Sequence, residues 1–211
     1  MNDHYNEIYF RRYDHYLKIN LGDVPLFAKI GQWLDLKRPA KILDIGCGLG
    51  YLLHWSCFCT GAKGFGVDTS EVAVKGAHAL YPNLKFILLK NNRLPFRDKS
   101  FDTIFMINLI EHVSSGEQPK LLREAGRVLK DKGILIISTP DKHSLYKKIM
   151  IHDPSHLAEL SRGQLISLVS RDFTIEEMVF TNSIGRLGKN LNCLLSAIFP
   201  ADLLLRLEKR K

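Results

Sequence analysis

A short glycine-rich turn between two acids is the part of this sequence best suited to chemistry. The apolar run Ile42–Ile45, interrupted by Asp44, predicts a buried strand that leads into glycines at positions 46, 48 and 50. Glycine permits both a tight strand-to-helix turn and a close approach of a ligand to the backbone. Asp68 ends the next predicted strand, so its carboxylate is expected beside the turn, where it can accept hydrogen bonds from both hydroxyls of a ribose. The pattern predicts a site for a nucleoside cofactor.

The spacing of the glycines argues against a dinucleotide. Dinucleotide folds hold a pyrophosphate at a helix N-terminus through a G-x-G-x-x-G turn, whereas this turn reads G-x-G-x-G and is followed by Tyr51. Asp44 would repel a pyrophosphate, and it would attract a cofactor that carries an ammonium group. A nicotinamide cofactor stays the formal alternative, because both kinds of fold begin with a glycine turn and an acid.

Further segments follow the turn in a fixed order. They are Leu94–Phe96, Asp98–Asp102, Met106–Val113, Leu122–Lys130 and Gly133–Pro140, with Asp153–Leu157 and Ser161 after them. They resemble the “LPF”, “D-x-SFD”, “EHV”, “L-x-E-x-x-RVLKPGG” and “DPxH…S” segments of the class I S-adenosylmethionine-dependent methyltransferases, over about residues 38 to 180. The resemblance implies S-adenosylmethionine as the cofactor and methyl transfer as the activity.

The resemblance also implies which residues bind the cofactor. Those expected at its methionine end, ribose and methyl path are Asp44, Gly46, Cys47, Gly48, Asp68, Thr69 and Asn108. The family usually has an acid that accepts from the adenine amino group at the position of Lys90, and a lysine cannot accept a hydrogen bond. Asn91 or Asn92 is therefore expected to supply a carbonyl oxygen, unless the backbone alone binds the adenine.

Two histidines are the candidates for catalysis. A sulfonium methyl needs in-line positioning and exclusion of water, and an oxygen nucleophile also needs its proton removed. His112, after the fourth strand, and His156, in a loop before a helix, are expected to face the acceptor; a structural role for each stays open. Relatives with an “E-x-x-EH” segment hold a divalent metal there, but Asn108 replaces the first acid in this chain, so no metal ligand is predicted.

Alternating strands and helices predict an α/β fold with a doubly wound, mostly parallel seven-stranded sheet and helices on both faces. Strands are expected at about 41–45, 63–67, 84–89, 101–107, 133–139 and 173–180, and helices at about 49–58, 70–80, 116–130 and 161–170. The 211 residues suit one domain: an N-terminal helical cap over the cofactor mouth (1–37, with helices 3–18 and 24–36), a cofactor-binding core (38–180) and a C-terminal extension (181–211). Part of that extension is expected to complete the sheet, and an interfacial amphipathic helix in contact with a membrane is the alternative.

The acceptor is not defined by the sequence. The net charge of +8 is spread widely, without a compact basic stripe, which favours a small molecule over nucleic acid. RNA methylation and a non-catalytic S-adenosylmethionine-binding module are the alternatives. The N-terminus lacks the pattern of a signal peptide, so a cytoplasmic location is expected; the oligomeric state is left open.

Overall fold

The protein is built on a seven-stranded sheet, seen here in a computed structural model that describes residues 24–34, 40–91, 93–144, 155–181 and 202–210. The strands are β1 (Lys41–Ile45), β2 (Lys63–Asp68), β3 (Lys85–Leu88), β4 (Phe101–Ile107), β5 (Leu129–Pro140), β6 (Phe173–Thr181) and β7 (Asp202–Lys209). Their order in the sheet is β3-β2-β1-β4-β5-β7-β6. Strands β1 to β5 pair in parallel, and β7 runs antiparallel to both β5 and β6. The predicted doubly wound, mostly parallel sheet is confirmed.

Helices cover both faces of the sheet. They are α1 (Val24–Trp33), α2 (Tyr51–Thr60), α3 (Glu71–Leu80), α4 (Gln118–Val128) and α5 (Arg162–Val169). One buried cluster joins the sheet to α1, α2 and α3 through side chains such as Ile30, Leu53 and Ala77. A second cluster joins it to α4 and α5, as at Leu122 and Leu165. Each helix thus buries one apolar stripe, which is what stabilises a layered α/β fold.

Local signals in the sequence set several helix ends. Ser70 accepts a hydrogen bond from the backbone of Ala73 and begins α3, and Ser161 forms a capping box with Gln164 at the start of α5. The fourth helix is shorter than the predicted 116–130. It stops at Val128 because Leu129 is already extended and pairs with Phe101, so β5 begins four residues earlier than predicted.

The predicted C-terminal extension contains β7, which lies inside the sheet between β5 and β6. Leu203, Leu204, Leu205 and Leu207 on this strand are fully buried. The extension therefore completes the sheet over 202–209, while residues 182–201 lie outside the described part of the chain.

The predicted N-terminal cap is described only from residue 24 onward, so the helix expected at 3–18 lies outside the described residues. Helix α1 packs on a face of the sheet, where Phe27 contacts Trp55 of α2 and Trp33 Nε1 donates to Glu177 of β6 at 2.7 Å. None of the described helices is long and apolar enough to span a bilayer.

Candidate functional site

The candidate site lies where the order of the strands reverses, at the carboxyl ends of β1, β2 and β4. Doubly wound sheets bind their ligands at this point. The backbone amides of Gly46 and Cys47, which follow β1, donate to the carbonyl of Val67 in β2 at 2.8 and 3.1 Å. A Cβ on Gly46 would lie 2.8 Å from the side chain of Leu109, just after β4. The three strand ends therefore converge on the glycine turn.

The glycine turn needs its glycines for conformation and for space. Gly46, Gly48 and Gly50 have φ angles of 75°, 52° and 81°, in the left-handed region that L side chains rarely adopt. A Cβ on Gly50 would lie 2.6 Å from Phe86, whereas a Cβ on Gly48 would meet no atom within 4 Å. The space beside Gly48 is where a ligand can approach the backbone.

Asp68 is bonded to that turn. Its Oδ2 accepts the backbone amide of Gly48 at 2.9 Å, and its Oδ1 accepts the amide of Ser70 at 2.8 Å. Burial raises the pKa of Asp68, while the backbone amides of Ser70, Gly48 and Thr69 act in the opposite direction. A carboxylate has about four acceptor positions, so this one can also accept the hydroxyls of a ribose. Thr69 is exposed next to it.

Asp44 is the second acid of the site and is only 3% exposed. Burial, and then the charge of Asp68, raise its pKa to about 8. A cation bound beside this carboxyl would favour its ionised form. Cys47, in the turn itself, is a buried thiol whose pKa is raised by burial and by the two acids, so it lines the site as a small apolar group.

The expected adenine side follows β3. The amide of Leu89 donates to the carbonyl of Asp68 at 2.7 Å, which places this segment beside Asp68. Asn91 uses Oδ1 to accept the amide of Arg93 at 3.0 Å, so one acceptor position of its carbonyl already serves the local turn. Lys90 is exposed. Asn92 lies outside the described residues.

Asn108 occupies a strained position at the end of β4. Its φ of 49° is in the left-handed region, which Asn tolerates better than most side chains. Its Oδ1 accepts from Ser138 Oγ at 3.1 Å, and its amide donates to the carbonyl of Ser138 at 2.9 Å. Asn108 is exposed, and its conformation suits Asn better than Glu.

The structure brings the two predicted histidines together. The rings of His112 and His156 lie 4.9 Å apart, nearly perpendicular to each other. A 3₁₀ helix (Ile110–His112) carries His112, and the segment 155–160 docks on it because Leu157 and Ala158 donate to the carbonyl of Glu111 at 2.9 and 3.1 Å. Ligand atoms of Glu111, His112 and His156 all lie within 4.8 Å of one another.

Sequence reasoning missed Gln118 as a support of this site. Its side chain is buried, and Nε2 lies 3.0, 3.2 and 3.0 Å from the carbonyl oxygens of Ile110, Val113 and Ala158. One amide group thus ties the 3₁₀ helix to the segment that carries His156. The sequence did contain a signal for this role: Gln118 is a polar residue on the apolar stripe of the helix predicted at 116–130, and buried polar groups are usually hydrogen-bonded.

Arg127 and Glu124 join two of the segments that resemble the family, because both side chains in Leu122–Lys130 bond to the backbone of Leu94–Phe96. Arg127 donates to the carbonyls of Leu94 and Phe96 at 3.0 and 2.9 Å, and Glu124 accepts the amide of Leu94 at 3.0 Å. The two side chains also pair with each other at 2.8 Å. Hydrogen bonding by Arg127 lowers the pKa of Glu124. The pair fixes the loop between β3 and β4.

The order of the strands, the glycine turn and the acid at the end of β2 define a Rossmann-like methyltransferase fold. Residues 43–137 match the family described as “Methyltransferase domain”. A demethylmenaquinone methyltransferase of Chlorobaculum tepidum is 30% identical over 190 residues, which cover 86% of this chain and 76% of that protein. A TehB-like S-adenosylmethionine-dependent methyltransferase from Corynebacterium glutamicum has the same fold, with a TM-score of 0.70, 17% identity and coverage of 99% and 100%.

The chain belongs to the family of S-adenosylmethionine-dependent methyltransferases, and S-adenosylmethionine is its cofactor. A probable S-adenosylmethionine-dependent methyltransferase of Mycobacterium tuberculosis is 31% identical over 129 residues, or 61% of this chain. The match covers only 46% of that relative, so the chain spans about half the length of some curated relatives that it matches.

Proposed function

We propose that this chain transfers the methyl group of S-adenosylmethionine to a small-molecule acceptor. The observation that carries the proposal is the hydrogen bond from Gly48 to Asp68, beside open space at the carboxyl ends of the strands. This arrangement offers a ribose acceptor and an approachable backbone in one place.

The geometry supports a role for each of the cofactor-binding residues in this proposal. Asp44 supplies negative potential for the ammonium and sulfonium groups, with the backbone of Gly46, Cys47 and Gly48 around the methionine end. Asp68 and Thr69 hold the ribose. Asn91 is assigned to the adenine, and Asn108 to the path of the methyl group.

The acceptor binds on the other side of that path, against His112 and His156. Both rings are partly buried, and the His156 imidazole is paired with Glu159 at 2.7 Å. A histidine held in this way can take a proton from an acceptor oxygen or nitrogen. Demethylmenaquinone, for which the Chlorobaculum relative is named, is the first acceptor to assay.

Calorimetric titration with S-adenosylhomocysteine tests the cofactor half of the proposal. We expect micromolar binding, at least tenfold weaker in Asp68→Ala, since each charge-assisted hydrogen bond contributes about 1.5–3 kcal/mol. Asp131→Ala is the matched control, because Asp131 is an exposed acid that pairs with Lys99 near the amino end of β5, away from the carboxyl ends that carry the site. Equal binding by all three proteins would refute the assigned ribose site.

Methyl transfer from labelled S-adenosylmethionine tests the second half. Label transferred to a small-molecule fraction supports the proposal. Label transferred to RNA, with retention on RNA that weakens steeply as salt rises, would replace it with RNA methylation. Cofactor binding without transfer to either pool would identify a non-catalytic binding module.

A further inference from the structure

The segment after β3 lies where the base of a nucleoside bound at this site would reach. Strands β1, β2 and β3 are neighbours in the sheet, in that order. A cofactor with its methionine end at the glycine turn after β1 and its ribose at Asp68 on β2 therefore extends its base toward the end of β3. The amide of Leu89 donates to the carbonyl of Asp68 at 2.7 Å, which joins the two strand ends. Lys90 and Asn91 come next in the chain, so they are the side chains available to the base.

The charged side chains of this segment are all basic. Residues 85–97 include four lysines and arginines and no aspartate or glutamate. Lys90, Asn91 and Arg93 are exposed. The segment therefore offers a base positive charge and hydrogen-bond donors, without a carboxylate of its own.

The charge of Lys90 lies near the end of β2. A hydrogen bond from Lys75, at 2.7 Å, lowers the pKa of Glu71 at the start of α3, and the charge of Lys90 lowers that pKa further. Since Glu71 is only three residues after Asp68, the ammonium of Lys90 is close to the part of the chain that follows β2. This places a donor on the side of the loop where the base is expected.

Three acceptors of the same loop already have donors. Asn91 Oδ1 accepts the amide of Arg93 at 3.0 Å. The carbonyl oxygens of Leu94 and Phe96 accept from Arg127 at 3.0 and 2.9 Å. The loop is therefore better supplied with donors than with acceptors for a bound base.

Position 6 of a purine is where this difference matters. Adenine carries an amino group there, which donates, whereas hypoxanthine carries an oxo group, which accepts. Lysine has three donors and no acceptor, so Lys90 can bond the oxo group but cannot accept from the amino group. The amide of Asn91 can serve either base, through its nitrogen or through the remaining lone pair of its oxygen. Strong discrimination arises from buried polar groups that the wrong ligand leaves unpaired, and both of these side chains are exposed.

We propose that the cofactor site does not select for the 6-amino group of the purine, and that it also binds the 6-oxo (hypoxanthine) form, with Lys90 as the donor to the oxo oxygen. This inference rests on the function proposed above, because it concerns the base of the same cofactor. Affinity then comes chiefly from Asp68 and the glycine turn, and Lys90 determines which purine is preferred.

Calorimetric titration of the full chain with S-adenosylhomocysteine and with S-inosylhomocysteine tests the inference. We expect the two affinities of the wild type to lie within about tenfold of each other. Lys90→Met removes the donor and keeps a long side chain, so it should weaken only S-inosylhomocysteine, by about tenfold. Lys90→Asp supplies an acceptor for the amino group and repels the oxo oxygen, so it should shift the ratio of affinities toward S-adenosylhomocysteine by about tenfold or more.

Lys75→Asp is the matched control. It makes the same change of charge beside Glu71, on an exposed side chain of α3. It should therefore leave the ratio of the two affinities as in the wild type. Thermal unfolding of each variant shows that it is folded.

The inference is overturned if the wild type binds S-adenosylhomocysteine more than about tenfold tighter than S-inosylhomocysteine, or if both folded Lys90 variants keep the wild-type ratio. Either result leaves the proposed function in place. Binding of neither ligand would overturn the inference together with the cofactor half of the proposed function. Binding of both ligands, without methyl transfer to any acceptor pool, would refute the proposed function and leave the inference standing.

Discussion

The backbone amide of Gly48 donates to the carboxylate of Asp68 at 2.9 Å, so the hydrogen bond joins the glycine turn to the end of β2. Gly48 has a φ of 52° and open space around its Cβ position. Gly48→Ala should therefore destabilise the protein by only about 1–2 kcal/mol, the cost of a left-handed Ala. The new methyl group would enter the space proposed for the cofactor. The affinity for S-adenosylhomocysteine should therefore fall by more than the loss of stability alone would explain.

Gly61→Ala is a matched control for this substitution. Gly61 ends α2 with a φ of 69° and also has no atom within 4 Å of its Cβ position. The two variants should lose similar stability in thermal unfolding, and only Gly48→Ala should lose affinity in calorimetry. Equal affinities would contradict the placement of the cofactor beside Gly48.

The buried acid Asp44 should couple cofactor binding to pH. Its pKa is raised to about 8, so near pH 7 the cofactor-free protein carries this group mostly protonated. The cationic cofactor favours the ionised form and lowers that pKa, so a proton is released on binding. Affinity for S-adenosylmethionine should increase as the pH rises from about 6 to 8, by up to about tenfold per unit.

Calorimetry in two buffers of different ionisation enthalpy measures this proton release directly. Asp44→Asn cannot ionise, so its affinity should be weaker and should lack the Asp44-dependent part of the pH slope. A pH slope identical to that of wild type would mean that another group is responsible.

The left-handed backbone of Asn108 should decide which residues the position accepts. At a φ of 49°, Gly adopts the conformation without strain, whereas Glu pays about 1 kcal/mol or more. Neither variant, Asn108→Gly or Asn108→Glu, keeps the Asn amide oxygen that accepts from Ser138 Oγ, so the difference between them reports mainly the backbone conformation. Chemical denaturation should find the Gly variant more stable; the reverse order would contradict a conformational role.

The guanidinium of Arg127 should be needed for stability rather than for the cofactor. Lysine cannot reproduce its donation to Leu94, Phe96 and Glu124 from one planar group, so Arg127→Lys should lose about 1–3 kcal/mol. Arg123→Lys, at an exposed position on the same helix, should change stability little. Denaturant titration measures the free energy of unfolding of both variants. Equal losses would show that the planar geometry of the Arg127 guanidinium is not needed for stability.

The buried amide of Gln118 should hold the His156 segment in place. Gln118→Leu removes the amide nitrogen that lies within hydrogen-bond distance of three carbonyl oxygens, which should cost about 1–3 kcal/mol. The amides of Leu157 and Ala158 should then exchange hydrogen faster, because the segment they anchor to Glu111 is less tightly held. Unchanged exchange at both amides would show that Gln118 does not hold the segment.

The parts of the site that the sequence predicted best are those encoded locally. The strand, glycine turn and helix around Gly46–Gly50 are contiguous, and Asp68 follows from one strand–helix–strand unit. The contact between His112 and His156 depends on how the segment 155–160 docks onto the 3₁₀ helix. The spacing of residues in the sequence does not predict this docking. The proximity of His156 to Glu111 likewise exists only in the folded chain, because the two residues are far apart in the sequence.

The sheet was predictable as a class but not in every detail. Alternating strands and helices indicated the parallel half, whereas the neighbours of β7 are set by long-range pairing with β5 and β6. The early end of α4 also arises from a tertiary contact, between Leu129 and Phe101. Local propensity does not contain such contacts.

The interior position of β7 has a consequence for synthesis of the chain. Strands β1 to β5, with the glycine turn and Asp68, precede β7 in the sequence and can pair as they are made. Until residues 202–209 have been translated, however, β5 presents an unpaired apolar edge and β6 has no neighbour through which to join the sheet. A ribosome paused before that point would hold an assembled cofactor half with an open edge, the state in which a nascent chain is most exposed to aggregation.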